Sequence, residues 1–283
     1  MNEQGYHLLQ QTHHTIRLRV QAAAKIARAC AVVAQIMWRQ RRASDRELPT
    51  LRQQATQRLC DIFNLRITFN AAATPEYPTL YLAHHSSALD IPVLGNVLST
   101  NFLAADKVSH WPVLGQCIRD LGTVFIDKQE PSHSFSRMRD NLRDLYSAFA
   151  RGESVLAFPE GGIVQDSTKP EEFKSALLGP LCDERLKRRL GIPEHATPLV
   201  QPVGLRVTHI NDQPAQRTEQ VTPYVWGNFN LLRHFWRIAK CESMDIEVRA
   251  FTPMKPASYP GRRALAAKAE HKAHAFHAGY TPA

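Results

Sequence analysis

Long uninterrupted apolar runs are missing from this 283-residue sequence. Between Ile16 and Arg39 the longest stretch free of charged or amide side chains is 29–34, far short of the roughly 20 residues that span a bilayer, so a crossing by this segment is not expected. The opening MNEQGYHLLQQTHH has no apolar core behind a basic start, and no secretory signal is expected either. Cysteine is scarce. The five present (Cys30, Cys60, Cys117, Cys182, Cys241) are odd in number, far apart and without a CxxC pair, which argues against a disulfide framework or a cysteine zinc site and points to a reducing compartment. No GxSxG elbow occurs, removing the usual serine-hydrolase arrangement. Internal repeats and low-complexity tracts are also lacking.

Positive charge is in excess, and it is unevenly placed. Of the formal +9, the first 60 residues supply an excess of seven, ten Lys/Arg against Glu3, Asp45 and Glu47. A basic arm of this kind suits nucleic acid, an anionic membrane or an acidic carrier protein. On a helical wheel Arg17, Gln21, Lys25, Arg28, Gln35 and Arg39 share one sector, with Arg19 outside it, while Ile26, Val32, Val33, Ile36 and Met37 lie elsewhere. A narrow basic stripe beside a broad apolar face fits a helix lying among lipid headgroups better than one on nucleic acid. The alternative is a helix packed on its own domain. A second amphipathic helix, with Leu51, Ala55, Leu59, Ile62 and Phe63 on one side, is expected to fold back on the first.

From Leu65 onward short apolar runs alternate with amphipathic segments, the pattern of an α/β sheet. Strands are predicted at 65–69, 79–83, 123–126, 154–158, 200–207 and 246–251. Phe135, Met138, Leu142, Leu145 and Phe149 recur at three and four residues before Gly152, so 123–158 reads as strand, helix, strand. Pro253, Pro256 and Pro260 precede a last, Ala-rich helix. The expected architecture is a single α/β domain, 65–283, whose mixed central sheet is flanked by helices, preceded by an N-terminal amphipathic helical hairpin at 1–64.

The chemistry begins where TLYLA runs into HHSSALD, with His85 and Asp90 five residues apart at a strand-to-helix junction. Within one continuous helix a five-residue offset turns two side chains about 140° apart, so they meet only if His85 precedes the helix. Ser86 or Ser87 is the expected cap. A carboxylate on one imidazole nitrogen fixes the tautomer and stabilises the cation, leaving the other nitrogen to take a proton from a hydroxyl. A metal site built from His84, His85 and Asp90 is disfavoured, because adjacent residues on a strand point to opposite faces. The PEGG tetrapeptide reads as a plain turn or as backbone N–H groups presented to an anion.

Such a pair recurs by chance, and its context carries the weight. HHSSALD, GTVFIDK, FPEGG and QPVGL, in that order, resemble the four blocks of the lysophosphatidic acid acyltransferase family, a branch of the glycerol-3-phosphate acyltransferase superfamily. Lys107, Pro112, Gly115, Phe173 and Lys174 match it too, and the similarity runs from about Leu65 to Phe251. The resemblance implies direct transfer of a fatty acyl group from acyl-CoA or acyl-carrier protein to a lysolipid hydroxyl, most simply that of 1-acylglycerol-3-phosphate. His85 would be the base and Asp90 its orienter, with no covalent acyl-enzyme, no cofactor and no metal. It also implies acceptor binding by Lys128, Phe158, Pro159, Glu160, Gly161 and Lys174, and a place on the cytoplasmic face of the inner membrane, peripheral or monotopic.

Two departures bear on the acceptor. Where the family has Arg ending the second block and Thr-Arg after FPEG, this chain has Lys128 and Gly162-Ile163. Arg grips phosphate with a planar fork and Lys with a point charge, so the phosphate clamp is weakened unless Lys169 or Lys174 replaces it. FKSALL and WGNFNLLRHFW resemble the lyso-ornithine lipid acyltransferases, which makes that acceptor the alternative. A homologue that binds lipid or carrier protein without catalysis is the alternative of another class. Arg185, Lys187, Arg188 and Arg189 offer a docking patch for CoA or carrier protein, or simply a solvated helix end. Trp226, Phe229, Phe235 and Trp236 read as core or as an acyl-facing surface.

Overall fold

The structure is a computed structural model and describes the chain apart from residues 1–2, 45, 76–77, 111–113, 121–122, 127–133, 164–170, 216–222, 226–229 and 279–283. Two helices open it, α1 (Glu3–Gln40) and α2 (Leu48–Phe63). Pro49 at the start of α2 and the left-handed Asn64 after it (φ 53°) are the expected punctuation for a helix that turns sharply into a strand. The body follows as β1 (Leu65–Ala71), β2 (Thr79–Ala83), α3 (Asp90–Val97), β3 (Asn101–Ala105), α4 (Asp106–Ser109), α5 (Leu114–Asp120), β4 (Val124–Ile126), α6 (Ser134–Ala150) and β5 (Val155–Ala157). Then come α7 (Gly179–Cys182), α8 (Glu184–Arg189), β6 (Leu199–Ile210), β7 (Gln213–Pro214), α9 (Leu231–Ala239), β8 (Met244–Ala250) and α10 (Arg262–His277).

The strands form one mixed sheet in the order β1-β8-β6-β2-β5-β3-β4, with β7 added to β6. Only β8 against β6 and β7 against β6 are antiparallel. The predicted strand, helix, strand unit is β4–α6–β5, but β3 lies between its two strands in the sheet. The NFLAA run of β3 was not among the expected strands. A five-residue apolar run has no periodicity to separate it from a helix segment.

β2 is central and buried at all five positions, as a strand covered on both faces must be. Its side chains alternate: Leu80 and Leu82 join α6 and α10 on one side, while Tyr81 and Ala83 join α2, α3 and α9 on the other. Cys60, Ile62 and Phe63 of α2 and Ala22 of α1 belong to that second cluster. The boundary expected at 64/65 is therefore a change of element type within shared packing.

α1 differs from expectation in one respect. By length and composition alone, His13–Gln40 is long and apolar enough to cross a membrane. Yet Ile26, Ala29, Val32, Val33, Ile36 and Met37 pack against the protein. Arg17 pairs with Glu242 at 2.6 Å and Lys25 Nζ donates to the Cys241 carbonyl at 2.6 Å. A helix held by its own domain along one face is not surrounded by lipid. Of the two readings of the wheel the packed helix holds for these apolar residues, and Ile16 (54% exposed), Val20 (63%) and Trp38 (58%) face outward.

Gly204 in the fourth block is needed for close packing. A Cβ there would lie 2.6 Å from Phe276 Cδ1 and 2.7 Å from its Cβ, and Phe276 on α10 is fully buried. Gly204→Ala is expected to cost about 1–3 kcal/mol, measured as a lower midpoint in chemical denaturation with an unchanged slope.

Candidate active site

β2 ends at Ala83, and the strand alternation carries on through the next two residues. His84 turns to the side of α10 and His85 to the side of α3, as expected for neighbours on a strand. The chain then bends so that α3 begins at Asp90. His85 Nδ1 lies 2.8 Å from Asp90 Oδ2, which also accepts the N–H groups of Ser86 (2.7 Å) and Ser87 (2.9 Å). The expected serine cap is not made. Leu89 occupies the cap position without a side-chain hydrogen bond, and Asp90 itself gathers the loop's donors. Ser87 Oγ accepts from Leu89 N at 3.2 Å and meets His234 Nε2 at 3.1 Å.

Asp90 is fully buried, and its Oδ1 accepts from Tyr224 Oη at 2.7 Å. Burial alone would raise its pKa. The hydrogen bond and charge of His85, then the bonds from Tyr224 and Ser87 N, outweigh burial and hold the carboxyl below its ordinary value. Burial, with Asp90 beside it, pushes the Tyr224 phenol well above its usual range, so it stays a donor. With Nδ1 committed to Asp90, the chemistry falls to Nε2. Phe158 stacks on the ring at 3.9 Å between centroids and 14° between planes, fixing its tilt.

The third block lies directly beside this pair. Gly161 adopts φ 92°, a left-handed conformation natural to glycine, as the turn after Pro159 and Glu160 closes. Lys174 N donates to the Pro159 carbonyl at 3.1 Å and Lys174 Nζ to the Glu160 carbonyl at 2.7 Å. Phe158, Pro159, Gly161 and Lys174 are thus brought to one place. Glu160 lies in the same turn. Its side chain is turned inward and fully buried, accepting His85 N at 2.9 Å, His274 Nε2 at 3.0 Å and His84 Nδ1. Burial works against this anion, but the bonds from His274, His84 and His85 N prevail and lower its pKa. His84, Glu160 and His274 also offer ligand atoms within 4.8 Å of one another and are the metal-capable cluster among the described residues.

Lys128, Pro112, Lys169, Trp226 and Phe229 lie outside the described residues. In the basic cluster Lys187 is buried and donates to Glu194 O (2.8 Å) and Thr197 Oγ1 (2.6 Å), while Asp183 caps the helix. These contacts favour the structural reading of α8. Phe235 and Trp236 pack on the core. Sequence reasoning missed Tyr224, His234 and His274. Each is a polar aromatic far along the chain from its partner; Tyr224 and His274 have no motif around them, and His234 lies in WGNFNLLRHFW with nothing there to mark its contact with Ser87.

A family model described as "Acyltransferase" matches residues 64–200. The lyso-ornithine lipid O-acyltransferase of Brucella abortus is 26% identical over 93% of this chain and 94% of its own length. The 1-acyl-sn-glycerol-3-phosphate acyltransferase of Neisseria gonorrhoeae is 28% identical over 69% of each chain. Among solved structures, the 1-acyl-sn-glycerophosphate acyltransferase PlsC of Thermotoga maritima superposes with a TM-score of 0.53 at 16% identity, covering 91% of this chain and 93% of that one. The likeness at that identity is one of fold.

Two imidazoles, the buried His234 and the partly buried His277, set a pH dependence. Burial, the largest cause for each, lowers His234 and His277 from 6.5 to about 4. Between those values the unfolded chain binds more protons than the folded one, so stability falls as pH falls through that window. The melting temperature is expected to drop from pH 6.5 to 4, and less steeply in His277→Phe than in the parent.

Proposed function

We propose that the chain belongs to the acyltransferase family, whose model matches residues 64–200, and that it transfers a fatty acyl group from an acyl thioester to the free hydroxyl of a lysolipid. The observation that carries this reading is the buried Asp90 carboxylate on His85 Nδ1. His85 Nε2 takes the hydroxyl proton as the alcohol oxygen attacks the thioester carbonyl, and Asp90 stabilises the imidazolium that forms. The tetrahedral intermediate then expels the thiolate, which recovers the proton from His85. No acyl-enzyme forms on this route. Acyl-CoA and acyl-carrier protein both supply the required thioester, and either serves as co-substrate. The intact pair at the end of β2 speaks against a homologue that only binds lipid. His85→Ala is expected to lower turnover roughly 10²–10⁴-fold with an unchanged circular dichroism spectrum. Near-parental turnover in the folded variant refutes the assignment of the base.

For the acceptor head, Lys128 and Gly162-Ile163 in place of arginines favour a lyso-ornithine type over a bare phosphate. The near full-length match to the Brucella enzyme supports the same reading. Acylation of 1-acylglycerol-3-phosphate is the second reading, favoured by the four ordered blocks and the Neisseria relative. One labelled acyl donor offered to lysolipids with and without phosphate decides between them. Exclusive acylation of lysophosphatidic acid overturns the ornithine-type reading.

The enzyme associates with membrane. In our reading α1 lies along the bilayer surface with Ile16, Val20 and Trp38 in the acyl region and the exposed Arg28 toward phosphates. The cytoplasmic side suits the scattered free cysteines. The double variant Val20→Asp/Trp38→Asp is expected to lose most of its flotation with anionic vesicles while keeping the parent's melting temperature. Undiminished flotation rejects this face.

A further inference from the structure

Glu160 sits in the third block, where the resemblance implied contact with the acceptor, yet its carboxylate is occupied entirely from within. Oε2 takes the main-chain N–H of His85 at 2.9 Å, and Oε1 takes His274 Nε2 at 3.0 Å together with His84 Nδ1. We propose that Glu160 is a positioning residue, gripped by His274 of the C-terminal helix and by His84, that fixes the backbone of the base, and that the acceptor does not touch it.

His85 is then held at two points. Asp90 orients its ring through Nδ1, and Glu160 anchors its peptide N–H from the opposite side of the sheet. The grip has its own support. His274 stands edge-on to Phe173 at 5.1 Å, and Phe173 N donates to Glu270 Oε2 at 2.8 Å, one turn before His274 on α10. His277, a turn farther along, packs its ring on His84 at 4.4 Å and is tethered through Nδ1 to the Leu205 carbonyl at 3.0 Å. α10 lies beyond the residues that match the family model, 64–200, so this clamp reaches the catalytic loop from outside the blocks. An anion shared by two imidazoles and a peptide N–H, with no exposed side-chain surface, presents no oxygen to a ligand, and removing any donor leaves the charge under-satisfied.

The test rests on the function proposed above but keeps an arm that does not need turnover. Glu160→Gln and His274→Leu are each expected to lower kcat about 10–100-fold, as a base displaced by a fraction of an ångström does, with acceptor KM within about twofold. His274→Gln, which restores an N–H donor, is expected to recover most of the loss. In 15N-labelled protein the His85 amide proton is expected to move upfield in Glu160→Gln, whether or not a substrate has been found. A KM at least tenfold higher in Glu160→Gln with kcat retained overturns the proposal in favour of an acceptor contact. So does stoichiometric zinc in the parent protein that disappears in His274→Leu, because the same three side chains would then be ligands. Where Glu160→Gln fails to fold, the two His274 variants decide. A parent inactive on every lysolipid defeats the proposed function, while an unmoved His85 amide defeats the clamp.

Discussion

A carboxylate with no exposed surface must find its donors inside the protein, and Asp90 finds four: the His85 ring, two peptide N–H groups and the Tyr224 hydroxyl. An isolated anion at this depth would cost several kcal/mol and would be relieved by protonation. Here the donors keep it ionised, and gathering them sets the path of residues 84–90. The loop is bent to satisfy the charge, and the bend aims the imidazole. The geometry of the His85–Asp90 pair and the satisfaction of a buried charge are thus one constraint.

The central sheet makes that constraint possible. β2 is flanked by parallel neighbours on both sides and covered by helices on both faces. Its end is a fixed point from which strand alternation sends successive histidines to opposite sides. One side is furnished by α3, Tyr224 and α9, the other by the FPEGG turn and α10. Two carboxylates, Asp90 and Glu160, occupy the two sides and hold the same residue between them. Neither is near its proton-binding range at neutral pH, since both are held below their ordinary values by hydrogen bonds that outweigh burial.

The N-terminal helix obeys a different balance. α1 has an apolar stripe on each of two faces, one used for packing and one left to the outside. The salt bridge and the lysine tie at its body-facing side bind it to the segment just after α9. The same domain that builds the site therefore also holds α1, and α9 joins them: it packs against α1, and its His234 reaches Ser87 of the loop between β2 and α3.

The sequence by itself determined a great deal that is local. Period-two and period-3.6 patterns placed six of the strands, the hairpin and several of the flanking helices, and the HxxxxD spacing at a strand end, read with the ordered blocks around it, paired His85 with Asp90. Only the tertiary structure decided which stripe of α1 faces the protein, that β3 inserts between β4 and β5, that Glu160 points inward, and that Tyr224, His234 and His274 complete the loop. The reason is physical. These contacts join residues 134, 147 and 114 positions apart. No periodicity links such partners in the chain, because their meeting is set by strand order and helix docking rather than by the geometry of one element.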